Sequence, residues 1–150
     1  MRSPALLALA VAACAPLAPP AAFPPQAQAR ATQRPAIALP LRLVGTEPFW
    51  GVLLKDGSLS FNGVDRGAIV APIADTQVSG ASTVYRTAPP GAAMPVAVRA
   101  TVTPGACSDG MSDRTYPYVA SVDIDYAGAS PPVSLNGCAG PESLFERPPS

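Results

Sequence analysis

The run from Tyr116 to Tyr126 alternates with a period of two. Tyr116, Tyr118, Ala120, Val122, Ile124 and Tyr126 fall on one side, and Pro117, Val119, Ser121, Asp123 and Asp125 on the other. Successive strand residues point to opposite faces, so this pattern is that of a strand with one face on a core. Val96, Val98, Ala100 and Val102 repeat it against Ala97, Arg99, Thr101 and Thr103. Shorter candidates lie at 41–44, 49–55, 58–62, 68–72 and 83–87, and the Asp56-Gly57 pair between two of them signals a hairpin. Only residues 142–146 suit a short helical turn. The 20 prolines of the chain exclude a helical fold, because each removes an amide donor and clashes inside a helix. The fold expected is all-β: a small antiparallel barrel or sandwich over residues 41–147, with a short tail at 148–150.

The part before residue 41 differs in kind. Arg2 gives a positive start, and Ala5 to Ala13 is a nine-residue apolar run. That suits a signal peptide at 1–13 and is too short to cross a hydrocarbon layer of about 30 Å. Val11-Ala12-Ala13-Cys14 resembles the bacterial lipobox, in which the cysteine is diacylated and becomes the new N-terminus. Ordinary cleavage after Ala29, at Ala27-Gln28-Ala29, is the alternative and leaves a soluble periplasmic protein. Residues 14–40 follow as a linker rich in Ala and Pro, with seven prolines between Ala15 and Pro40. So little apolar surface cannot offset its ordering entropy, and the segment is expected to be a disordered, extended tether.

Charge and composition limit the chemistry. Formal net charge is zero and histidine is absent. There is no basic stripe for a nucleic acid. The commonest general base and metal ligand is missing, so Ser-His-Asp and Cys-His schemes cannot be built. The remaining two of the three cysteines, Cys107 and Cys138, suit a disulfide in an oxidising compartment. Closing a loop of about 32 residues contributes roughly 3–4 kcal/mol in the chain-entropy account. A redox or metal-binding pair is the weaker reading, since there is no C-x-x-C spacing. No cofactor or metal is expected.

Three stretches carry a resemblance. They are Val44-Gly45-Thr46-Glu47-Pro48-Phe49-Trp50, the run from Cys107 through Asp109-Gly110-Met111-Ser112-Asp113-Arg114 to Tyr118, and Leu135-Asn136-Gly137-Cys138-Ala139. Their order is similar to that in a family of small bacterial envelope proteins, many described as lipoproteins, some of which carry or neighbour META/HslJ-type β domains. The resemblance implies export and a β fold, and no activity.

Two of these stretches hold candidate binding residues. Phe49 and Trp50 are adjacent in a strand and must face opposite ways. Trp50 alternates with Val52 and Leu54, an apolar set, and is assigned inward. Phe49 shares its side with Gly51, Leu53 and Lys55 and is left outward, free to contact a ligand or partner. Asp109, Asp113 and Arg114 lie in a loop whose Asp, Ser and Gly suit a self-bonded turn. An EF-hand pattern is not met. Asp123 and Asp125 share a solvated strand face, unlike a catalytic acid–base pair.

The function expected is that of a non-enzymatic, lipid-anchored envelope protein with a structural or binding role, using Phe49, Trp50 and the 109–114 loop. Its partners are a membrane, through the lipid, and a protein or small molecule whose identity the sequence leaves open. One alternative is an inhibitor of a secreted enzyme such as c-type lysozyme, a basic target that an acidic loop at Asp109 and Asp113 would attract. A hydrolase is the remote alternative.

Overall fold

The computed structural model describes residues 34–63, 67–91, 93–128 and 131–146. The signal segment, Cys14, the cut site after Ala29, most of the linker and the 148–150 tail lie outside them. Nine strands and one short helix follow in chain order: β1 Leu41–Thr46, β2 Phe49–Lys55, β3 Ser58–Gly63, β4 Gly67–Pro72, β5 Asp75–Ser79, β6 Ser82–Arg86, β7 Val96–Ser108, β8 Thr115–Tyr126, β9 Val133–Pro141 and α1 Glu142–Glu146. All pairings are antiparallel and join one sheet in the order β4-β3-β2-β1-β9-β8-β7-β6-β5. Each strand pairs with its chain neighbour except at β4 and β5, which are the two edges. The first and last strands pair instead, Leu43 opposite Ala139.

The alternation explains the curl. Leu43, Val52, Leu54 and Phe61 from one half of the sheet share a single buried cluster with Tyr85, Val98, Val102, Val122 and Ile124 from the other. A flat sheet could not bring them together, so the sheet rolls into a half-barrel around one core. The all-β antiparallel expectation holds, and of its two forms the barrel is the nearer. Asp56 and Gly57 form the two-residue hairpin turn between Lys55 and Ser58, with φ of 50° and 72°, the positive values such a turn needs.

Three departures from the sequence reading have physical causes. β7 runs on to Ser108, although Pro104-Gly105 reads as a break; the register with β8 shifts between Pro104 and Cys107, a bulge that absorbs a residue unable to donate to the ladder. β5 gives no apolar signal because it is an edge strand, exposed at four of its five positions. β9 is masked by small residues at 137–140, whose role is close packing. One residue of the 14–40 linker segment also takes part in the packing. Ile37 packs on the core; its N–H donates to the Thr83 hydroxyl at 2.9 Å and its carbonyl accepts from the Tyr85 phenol. Burial pushes that phenol up to about 12, which keeps it a neutral donor.

Candidate functional site

The three stretches that carry the resemblance meet at one end of the sheet. Trp50 is the centre of their packing. It is 5% exposed, on the inner face with Val52 and Leu54. Its cross-strand neighbours are Gly45 on β1 and Gly63 on β3. A Cβ at Gly45 would lie 2.0 Å from the indole Nε1, and one at Gly137 of β9 would lie 2.8 Å from Cζ2. The two glycines are therefore spaces that the indole fills, which is why Gly45 and Gly137 accompany Trp50. Phe49, on the other face, is 55% exposed.

The Cys107–Cys138 disulfide forms, with Cα atoms 5.6 Å apart, and ties β7 to β9 across β8. Cys138 pairs with Val44, and Cys107 leads into the 109–114 loop.

That loop is organised around one carboxylate. Asp109 Oδ1 accepts from the Met111 and Ser112 amides at 3.0 and 2.8 Å; Oδ2 accepts from the Ser112 hydroxyl at 2.8 Å and the Tyr116 phenol at 2.7 Å. The Thr46 hydroxyl donates to the Asp109 carbonyl at 3.2 Å and fastens the loop to the β1–β2 turn. Bonding to the Ser112 amide, the largest influence, with Tyr116 and Met111, holds the Asp109 carboxyl well below the usual carboxylate range, against a smaller opposing effect of burial. Arg114 donates from Nη1 to the Leu144 carbonyl at 3.0 Å, and Asp113 is exposed. Sequence reading grouped Asp109, Asp113 and Arg114 with Phe49 and Trp50 as a binding surface. Trp50 is buried, as its alternation predicts, and the half-buried Asp109 has its carboxylate bonded to its own loop and Tyr116, while Phe49 and Asp113 are exposed.

Because folding lowers the pKa of Asp109 from an unfolded value of about 3.9, its contribution to stability is complete above pH about 5 and drains as pH falls through the unfolded and then the folded value. Acid unfolding of the wild type should therefore steepen below pH about 4. Asp109→Asn should be less stable near neutral pH and should lose part of that slope, the lowered Asp123 keeping its own share; an unchanged slope in guanidine titrations between pH 3 and 7 would contradict this role.

Residues missed as a group are Arg42, Phe145 and the small residues of β9. The α1 helix lies over β1 and β9, with Leu144 against Gly140 and the Arg42 guanidinium 5.3 Å from the centre of the Phe145 ring. Phe145 in turn stands 5.6 Å from the Tyr116 ring. Two adjoining depressions of about 340 and 320 Å³ open beside this stack on the outer face of β1–β4. Both are lined by Arg42, Gly51 and Asn62; Phe49 and Val44 border one, Leu53 and Val70 the other.

On the outer face of β7–β9, Asp123 accepts from Arg99 at 2.7 Å and from the Ser134 hydroxyl at 2.6 Å. Burial disfavours its charge, but the Ser134 and Arg99 bonds outweigh that and lower its pKa. Asp125 is exposed. The two aspartates thus have different surroundings, yet Asp123 is committed to its partners. Among the described residues no three acidic or cysteine side chains gather as a metal site. Comparison with family models, curated proteins and solved structures gave no match to this chain.

Proposed function

We propose that this chain is a non-enzymatic accessory protein of the bacterial envelope, held to a membrane through lipid on Cys14, that binds a partner through the outer face around Phe49. The observation that carries the binding part is the exposure of Phe49 on a strand whose neighbour, Trp50, is locked inside. A large aromatic side chain held out on a rigid strand beside a depression is a recognised form of contact surface. The resemblance to small envelope proteins, the lipobox-like Val11-Ala12-Ala13-Cys14 run and an oxidised cysteine pair support the location. A lysozyme inhibitor acting through the 109–114 loop is less favoured, because the Asp109 carboxylate has both oxygens engaged internally.

Two substitutions test the two parts separately. Cys14→Ser should move the protein from the membrane to the soluble fraction and end incorporation of labelled fatty acid, since anchoring depends on the acyl chains. A mature N-terminus at Arg30 would refute the anchor. A photo-crosslinking residue at position 49 should give a discrete product in cells, whereas the same residue at Val119, another exposed apolar position, should not. Equal products at both positions would refute the Phe49 face.

A further inference from the structure

Four basic side chains stand on the strands. Lys55 pairs with Glu142, Arg86 with Asp75 and Arg99 with Asp123. Among the described residues the Arg42 side chain has no ion pair or hydrogen bond, and its guanidinium lies over the Phe145 ring. A guanidinium lying over an aromatic ring spends none of its N–H groups on that contact, and the fork they form matches a carboxylate. Arg42 is also the basic residue common to the two depressions. Glu142, the acid that lines one of them, is already bound to Lys55 at 2.9 Å. The floor common to both is open because Gly51 has no side chain; Phe49 gives one an apolar wall, and Leu53 and Val70 the other.

We infer that this outer depression takes an apolar carboxylate: a carboxylate held by the Arg42 fork, with an adjoining aromatic or aliphatic group against Phe49 and Leu53. The inference rests on the reading of the Phe49 face as the binding surface and names the chemistry of what binds there. Phe145 is a positioning residue that fixes the guanidinium. Asn62 lines both depressions and is the neutral polar residue common to them.

The test is an amide-resolved NMR titration of the oxidised protein with N-acetylphenylalanine, with its neutral amide, and with a tripeptide ending in phenylalanine. The free acid should shift the Gly51 and Asn62 resonances, and the amide should bind at least tenfold more weakly. Arg42→Gln should lose the preference for acid over amide while keeping a dispersed spectrum, and Phe145→Leu should weaken acid binding with Arg42 still present. Binding of the tripeptide but not the single residue would point to a peptide C-terminus as the source; the reverse would point to a small acid. If acid and amide shift the same residues equally, the carboxylate assignment fails and the Phe49 surface stands. If the acid shifts nothing near Arg42 up to its solubility limit, the inference fails, and crosslinking at position 49 still judges the surface on its own.

Discussion

Gly137→Ala should prevent this domain from reaching its native packing. A methyl group there would lie 2.0 Å from the carbonyl oxygen of Val44 and 2.8 Å from the Trp50 ring. The first obstacle is backbone, and it belongs to the strand that pairs with β9. Relief requires β1 and β9 to separate where they pair. Overpacking of this kind costs about 3 kcal/mol or more, which for a domain near 100 residues lowers the melting temperature by roughly 10 °C or more. Gly45→Ala differs in an informative way. The atoms its methyl would meet first belong to the Trp50 indole, at 2.0 Å from Nε1 and 2.4 Å from Cε2. The two glycine substitutions should therefore separate in a double-mutant cycle with Trp50→Leu. The Gly45→Ala penalty should shrink in that background, and the Gly137→Ala penalty should largely persist. Equal rescue of both would show that the indole, and not the Val44 carbonyl, sets the limit at Gly137.

These positions also show what the sequence could and could not disclose. The alternation in β7 and β8 is legible because each strand has one core face and one solvent face, so polarity repeats every second residue. The facing of Phe49 and Trp50 follows from the same period. β9 is silent because the period is carried by side chains, and at Gly137 and Gly140 the side chain is what must be absent. Glycine in a strand weakens it in isolation, so a local reading leaves such a stretch out. Its meaning appears only when Trp50, 87 positions earlier, is placed against it. The loop aspartates fail differently. Asp109 and Asp113 are the same residue type in one loop, yet Asp109 has four donors aimed at its carboxylate and Asp113 is exposed. One of those donors, Tyr116, belongs to a strand, and no local rule assigns it. The Arg42–Phe145 stack is more distant still, joining β1 to the helix that follows β9.

Trp50→Ala should cost about 3–5 kcal/mol of unfolding free energy, the range for removing a large aromatic side chain from a core. Its indole is 5% exposed, sits in the main cluster, and fills the space left by two glycines on other strands. Those glycines make the site unforgiving. Nothing larger than hydrogen stands at Gly45 or Gly137, so no neighbouring side chain there can lean in to occupy the vacated volume, and the cavity term is expected to persist. Phe49→Ala removes a ring that is 55% exposed and bounded by protein on one side. Its transfer and packing losses should total about 1 kcal/mol or less. Guanidine unfolding of the two variants side by side measures the difference directly. A Phe49→Ala penalty equal to or above that of Trp50→Ala would mean that the outer face carries packing assigned here to the inner one, and the binding role of Phe49 would lose its basis. The predicted outcome is the opposite pairing: Trp50→Ala unstable, and Phe49→Ala folded, close to wild type in stability, and deficient in whatever the outer face binds.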